Sequence, residues 1–268
     1  MKLGCAVSTY PTKFGPIIFK DGNLTENAKI MKRYSYEGVD LFIKQTSPDQ
    51  IRAYRRLFGD YGINITTLFA IYLGENGVKL SERDEKLRRK YVDMVKAQLE
   101  NACEAGAVGL GMGFIRGGYE DDETEDDALK RIAEALEGLG EYAESIGTSI
   151  LLEPVNRYEI NTLNSAKQTA DFIRDHHLKG VLMQPDMFHM NIEDRSIPEA
   201  IRYMGNMIGN LHISSSNRYA VGNGHFDFAQ VFEALRDVSY DGCLTLEAFA
   251  PNPEQALKQT REYLEPYL

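Results

Sequence analysis

Thr148-Ser149-Ile150-Leu151-Leu152 leads straight into Glu153, and the same construction recurs through the second half of the chain. Gly180-Val181-Leu182-Met183 precedes Asp186, Met207-Ile208-Gly209-Asn210-Leu211 precedes His212, and Gly242-Cys243-Leu244-Thr245-Leu246 precedes Glu247. Stretches of helical period separate these short apolar runs, the pattern of parallel strands joined by crossover helices. If the strands belong to one closed barrel, all four polar side chains emerge at the rim where barrel enzymes keep their active sites. Three carboxylates and an imidazole meeting there would cost on the order of several kcal/mol in repulsion and lost hydration unless a cation sat among them. Glu153, Asp186, His212 and Glu247 therefore read as one hard-metal ligand set.

Working back toward the N-terminus, four further runs fit the same scheme: Leu3 to Ser8, Gly38 to Ile43, Ile63 to Phe69 and Val108 to Met112. Together they predict an α/β fold, a (β/α)8 TIM barrel, as a single domain over residues 1–268. The 268 residues carry no Pro/Gly/Ser-rich linker and suit a barrel of ~250 residues. Helix starts fall between the strands. Ser47-Pro48-Asp49-Gln50 and Ser196-Ile197-Pro198-Glu199 combine capping-box spacing with an early proline, and Asp227 is placed to cap the segment through Leu235. The longest helical stretch is expected from about Ser81 to Ala105, with Tyr91, Met94, Val95, Leu99 and Cys103 on its inner face. The acidic run Glu120 to Asp127 precedes another helix, where negative charge favours the N-terminus, and lacks the spacing of a calcium loop.

Composition excludes several function classes. The net charge of -10 opposes a nucleic-acid partner, because that affinity depends on Lys and Arg neutralising phosphates. No apolar stretch approaches the ~18 residues of a membrane span, and Met1 to Ser8 reads as a first strand rather than a signal peptide, which places the protein in the cytoplasm. Cys5, Cys103 and Cys243 form no C-x-x-C pair and are expected to be buried, reduced thiols.

The chemistry concentrates in two segments. Glu153-Pro154-Val155-Asn156-Arg157-Tyr158-Glu159 leaves a strand with two carboxylates, an amide and a guanidinium, and Asp186-Met187-Phe188-His189 places an imidazole three residues after a carboxylate. Of the five histidines, His189, His212 and His225 are expected in loops after strands six and seven, while His176 and His177 close a helix and complement its dipole. One nitrogen and three carboxylates without thiolate suit Mn2+ or Co2+ first, with Mg2+ and Zn2+ also admitted. No organic cofactor is implied. Gly222-Asn223-Gly224 and Arg116-Gly117-Gly118 read as turns rather than phosphate cradles.

With these motifs in view, the segments from Glu153 to Glu159 and from Asp186 to Glu193, together with His212-x5-Arg218 and Glu247, resemble the sugar isomerase/epimerase barrels related to xylose isomerase. Within that family they are most similar to the ketose 3-epimerases acting on tagatose or psicose. The resemblance implies a single divalent ion on Glu153, Asp186, His212 and Glu247, with Glu153 and Glu247 as the catalytic acid/base pair. It also implies that Glu159, His189 and Arg218 bind a small-molecule sugar, and that the chain forms a homo-oligomer, a dimer or tetramer. The expected reaction is C3 epimerisation of a free ketose (psicose/fructose or tagatose/sorbose type) through an enediolate.

Two departures stand out: Ser215 occupies the place where relatives commonly carry an acidic residue, and the chain has no tryptophan. Tyr10, Phe69, Tyr72, Phe114 and Phe249 are the candidate aromatic substitutes. Competing readings keep the proton abstraction but change its outcome, as in inosose isomerases, dehydratases and subunits that cleave carbon-linked glycosides. An apurinic endonuclease would want more histidines and a basic face, and a catalytically silent sugar-binding barrel has no need of two carboxylates around one carbon.

Overall fold

A computed structural model describes residues 1–268. Eight strands form: β1 (Lys2–Ser8), β2 (Gly38–Phe42), β3 (Asn64–Phe69), β4 (Gly109–Met112), β5 (Ser149–Leu152), β6 (Val181–Met183), β7 (Leu211–Ile213) and β8 (Cys243–Leu246). All ladders are parallel, in the order β6-β5-β4-β3-β2-β1-β8-β7. Between β6 and β7 the ladder gives way to isolated bridges that pair Met183 with Ile208 and Asp186 with His212. The Gly209 amide donates to the Met183 carbonyl at 2.8 Å and the His212 amide to the Pro185 carbonyl at 2.9 Å, closing the ring. Pro185 has no N–H with which to extend a regular ladder.

Ten α-helices alternate with the strands: α1 (Leu24–Arg33), α2 (Pro48–Asp60), α3 (Ile71–Glu75), α4 (Glu85–Ala105), α5 (Glu125–Ser145), α6 (Ala166–Asp175), α7 (Met187–Glu193), α8 (Ile197–Met204), α9 (Phe228–Asp237) and α10 (Pro253–Leu264). Eight are the crossover helices of the TIM barrel, and the short α3 and α7 are additions after β3 and β6. No helix is long and apolar enough to cross a membrane. The caps form where the sequence puts them. Ser47 and Gln50 make the reciprocal capping box, the Ser196 hydroxyl accepts from the Glu199 amide, and the Asp227 carboxylate accepts from the Gln230 amide. Glu125, Asp126 and Asp127 occupy the first turn of α5.

The main core joins 64 buried residues from strands and helices into one cluster, as expected of a single domain. A smaller cluster, Ala6, Ile17, Phe42 and Phe69, lies apart at the strand ends, where Phe42 and Phe69 stack at 4.5 Å between centroids. The barrel interior also carries polar side chains: Asp40, Thr67, Gln184, Asn210 and Thr245 are fully buried and bonded to one another.

Four local expectations are corrected. The run Met207 to Leu211 is mostly not strand: Gly205, at φ 59, ends α8, a 3-10 turn covers Gly205–Met207, and β7 starts only at Leu211. His212 is consequently the middle residue of its strand, and His189 lies on α7, so neither occupies a loop. The long helix begins at Glu85 because Asp84 caps it, and Cys103 on its flank is half-buried while Cys5 and Cys243 are buried.

Candidate metal centre and active site

Glu153 follows the last residue of β5, Asp186 caps α7 after β6, His212 stands within β7, and Glu247 follows β8. The bridge between Asp186 and His212 sets those two at one height across the closing seam. One candidate ligand atom from each of the four residues lies within 4.8 Å of all the others, and all four residues are buried. His212 Nδ1 is 2.8 Å from Glu247 Oε2, 3.6 Å from Glu153 Oε1 and 3.8 Å from Asp186 Oδ2. It is also a buried nitrogen with no hydrogen-bond partner. An orphaned nitrogen facing three carboxylates fits a cation coordinated by one nitrogen and three oxygens.

The other imidazole nitrogen is tied down. His212 Nε2 lies 2.8 Å from Asp40 Oδ2, and that carboxylate also accepts from Asn210 Nδ2 at 2.8 Å, from Gln184 Nε2 at 3.2 Å and from the Thr66 hydroxyl. With Nε2–H donated to Asp40, Nδ1 is left free to point at the cluster, the arrangement that orients histidine ligands in metal sites. Sequence reading missed Asp40. Its one signal was a carboxylate in the middle of the otherwise apolar run Gly38-Val39-Asp40-Leu41-Phe42. Ser215 does not take up the missing charge: its hydroxyl donates to the Ala220 carbonyl at 3.0 Å and accepts from the Asn223 amide at 2.9 Å, building the turn that carries Arg218.

Arg218 lies at φ 64, the left-handed region that a branched, bulky side chain rarely adopts and that recurs at functional sites. Its guanidinium donates to Glu247 Oε2 at 2.7 Å and to Asp186 Oδ2, and stacks 5.0 Å from the Phe188 ring centre. Burial pushes the Asp186 carboxyl upward, but Arg218 and the two nearby imidazoles outweigh it and hold the group well below the usual carboxylate range. For His212, burial disfavours the charged ring, while Glu247, Asp186 and Asp40 together raise its pKa well above the ordinary value in the absence of a cation.

His189 sits 4.0 Å from Glu153 Oε1 and 4.0 Å from Asp186 Oδ2 through Nε2. Its tautomer follows from Asn156. The Asn156 carbonyl accepts from the Tyr158 amide at 3.0 Å, which turns the amide nitrogen toward His189 Nδ1 at 2.7 Å and Glu159 Oε1 at 2.7 Å. Nδ1 thus accepts, and Nε2–H points into the site as a donor. Asn156 is the second residue whose part was not read from the sequence. Arg157 is spent on Glu193, with Nη2 to Oε2 at 2.7 Å, and clamps the two motif segments together.

Arg116, fully buried, donates to the carbonyls of Gly113, Glu153 and Thr162, and burial lowers its pKa to about 10 against the pull of Glu153. It fixes the Glu153 main chain and is no phosphate ligand. At Gly113 an added Cβ would lie 2.8 Å from Glu153 Oε2, so glycine leaves the room the carboxylate occupies.

These groups form the floor of a cavity of about 780 Å³ whose lining includes Glu153, Glu159, His189, Arg218 and Glu247. Of the proposed aromatic substitutes, Phe69, Phe114 and Phe249 line it, whereas Tyr10 and Tyr72 do not. His225 stays on the exposed β7 loop, where it meets the Ser216 hydroxyl at 2.9 Å, and His176 caps α6 against Phe172.

Eight parallel strands with a polar cluster at their C-terminal ends define a barrel enzyme. The family described as Xylose isomerase-like TIM barrel matches residues 28–267, and the chain belongs to it. It is 27% identical over 251 residues to 3-dehydro-D-guloside 4-epimerase of Escherichia coli (strain K12), covering 90% of this chain and 94% of that one. It is 29% identical over 251 residues to D-psicose 3-epimerase of Agrobacterium fabrum, covering 90% and 81%. Among solved structures, that of an L-ribulose 3-epimerase superposes with a TM-score of 0.85 over 100% of this chain and 94% of the other, at 22% identity, a likeness of fold. The chain is accordingly an enzyme of the isomerase class, of the sugar-epimerase kind.

Proposed function

We propose that this chain is a metal-dependent epimerase that inverts the carbinol carbon next to the ketone of a keto sugar, with Glu153 and Glu247 exchanging the proton. C3 of a free ketose, of the psicose/fructose or tagatose/sorbose type, is the reading that most relatives support. The observation that carries the proposal is the pairing of two glutamates, just after β5 and β8, around one candidate cation site.

A divalent ion, Mn2+ or Co2+ by preference, held by Glu153, Asp186, His212 and Glu247 would supply positive charge for the two neighbouring oxygens of a hydroxyketone. The side chains do the rest. A hydrogen beside a carbonyl is a weak acid, so its removal needs a base in position, a contribution of ~10² to 10⁴-fold. One glutamate takes that proton, and the other, reaching the planar enediolate from its opposite face, returns one to the same carbon. Proton count and oxidation state are unchanged over the cycle. His189 Nε2–H offers a donor to a sugar oxygen, Glu159 an acceptor near the rim, and Arg218 a positive charge beside Asp186 and Glu247.

The test is incubation of the Mn2+-loaded protein with fructose, psicose, tagatose and sorbose in D2O. New epimers carrying deuterium at the inverted carbon are expected, and Glu153→Gln and Glu247→Gln should each lower the rate at least ~100-fold. Deuterium uptake without a new sugar would move the reading to the isomerase, dehydratase or C-glycoside-cleaving group. An active double variant would remove the acid/base pair from the mechanism.

A further inference from the structure

The seam between β6 and β7 is closed from the inside by side chains. Two isolated bridges, Met183 with Ile208 and Asp186 with His212, stand where a ladder would run, and between them lie Gln184, just after β6, and Asn210, just before β7. Barrel interiors are commonly filled by branched apolar residues. Here both lips of the gap turn a carboxamide inward instead, and both residues are fully buried.

The two amides reach the same pair of acceptors. Gln184 Nε2 lies 3.2 Å from Asp40 Oδ2 and 3.0 Å from the Thr67 hydroxyl, and Asn210 Nδ2 lies 2.8 Å from Asp40 Oδ2 and 3.0 Å from that hydroxyl. A carboxamide nitrogen carries two hydrogens, so each can give one to Asp40 and one to Thr67. The acceptors are neighbours because β2 and β3 pair Asp40 with Thr67 after a register shift, and Thr66, the extra residue of that bulge, donates to Asp40 as well. Both strands stand across the barrel from the seam. The lips are thus joined through a carboxylate on the far wall. Asn210 is held in the donating sense by the Thr245 hydroxyl, which donates to its Oδ1 at 3.3 Å, and its nitrogen also comes within 3.1 Å of Asp40 Oδ1, spanning both oxygens and setting the plane of the carboxylate. The main chain of Gln184 continues the β5 pairing through the Leu152 carbonyl at 2.9 Å. Its side-chain nitrogen lies 2.9 Å from His212 Nε2, both directing a hydrogen at the same Asp40 oxygen. The imidazole N–H follows its acceptor, so the placing of Asp40 decides where Nδ1 points.

We infer that Gln184 and Asn210 form a latch across the open seam and are positioning residues of the metal centre: by fixing the Asp40 carboxylate they fix the ring of His212, so that tight ion binding requires both lips of the seam in place. This rests on the metal reading of Glu153, Asp186, His212 and Glu247, and not on the choice of sugar. Neither amide belongs to the ligand set. Each acts through Asp40, and the closure of the fold is thereby coupled to the geometry of the site.

A thermodynamic cycle on the metal-stripped protein tests the latch. Mn2+ affinity is measured by titration calorimetry for the unaltered protein, Gln184→Met, Asp40→Asn and the double variant; methionine keeps the reach of glutamine and removes its N–H groups. Gln184→Met should weaken binding at least ~10-fold. In the Asp40→Asn background the same substitution should cost less than ~3-fold, because the residue through which it acts is already altered. A merely structural role would give equal losses in the two backgrounds, and either that result or an unchanged affinity in the single variant would overturn the latch. The second measurement needs no variant. Coupling is reciprocal, so loading with diamagnetic Zn2+ should slow hydrogen exchange of the Gln184 and Asn210 side-chain amides, followed by NMR, at least ~10-fold. Exchange indifferent to the ion overturns the latch even if Gln184→Met fails to fold. A protein that binds no divalent ion would lose the metal centre and the latch together. One that binds Mn2+ yet epimerises no keto sugar would end the proposed reaction, while the cycle still decides for or against the latch.

Discussion

Asp40 is the residue on which the orientation of the candidate centre turns. It accepts from His212 Nε2 at 2.8 Å inside a barrel layer with no access to solvent, and Asn210, Gln184 and Thr66 satisfy its remaining lone pairs. Replacing it with asparagine keeps the shape but replaces the charge-assisted acceptor with a weaker one. Asp40→Asn should therefore weaken divalent-ion binding by ~10 to 100-fold, read by titration calorimetry of the metal-free protein. Unchanged affinity would show that the imidazole is oriented without it. Glu153, Asp186, His212 and Glu247 were legible because each ends or interrupts an apolar run, a local signal. Asp40 and Asn156 were not, because their meaning depends on which side chain they face across the barrel, and single-strand patterning carries no information about that partner. For Asp40 the pattern went only as far as an out-of-place charge.

At the scale of elements, the strands were legible from their apolar runs to within a residue or so, except at the seam. There a helix end, a 3-10 turn and a three-residue strand share one apolar stretch, and only the Gly205 backbone separates them. Gly113, just after β4, makes room for a glutamate just after the neighbouring strand. Gly113→Ala should leave the fold intact yet displace the Glu153 carboxylate, lowering kcat at least tenfold with little change in melting temperature. A loss of stability comparable with a core substitution would contradict that account. The short helix α7 ends at Asp194, whose carboxylate accepts from the Ala166 amide at 3.3 Å at the start of α6. Burial raises its pKa to about 6, with neighbouring Glu193 adding to the shift. The folded state thus holds this proton more tightly than the unfolded chain. Its contribution to stability is complete below the ordinary aspartate value of about 4 and is lost as pH rises through 6. Asp194→Asn should raise the melting temperature at pH 8 and give no gain at pH 4, and an equal gain at both would assign the effect to something other than ionisation.

Across the whole molecule, the closed barrel is the reading the sequence carried furthest, since eight apolar runs at barrel spacing admit few other arrangements. Closure itself is uneven. Seven regular ladders hold the ring, and between β6 and β7 it is joined by two isolated bridges. The four candidate ligands come from β5, β6, β7 and β8 or the residues just after them, so an ion held by them would tie the two sides of that seam together. Ligand binding restricted to the folded state stabilises it by RT ln(1 + [L]/Kd), ~2.7 kcal/mol at a hundredfold excess over Kd. For a chain of this size each kcal/mol moves the melting temperature by ~2–4 °C. Saturating Mn2+ should therefore raise the melting temperature by ~5–10 °C over the chelator-treated protein and slow amide exchange at Gly209 and His212, whose N–H groups span the seam. Glu247→Gln should shrink both effects because it removes one carboxylate from the set. If metal left the melting temperature and the exchange at these two amides unmoved, the three carboxylates would have to be held together by Arg218 and a protonated His212 alone, and the cluster would be an ion-pair network rather than a metal centre.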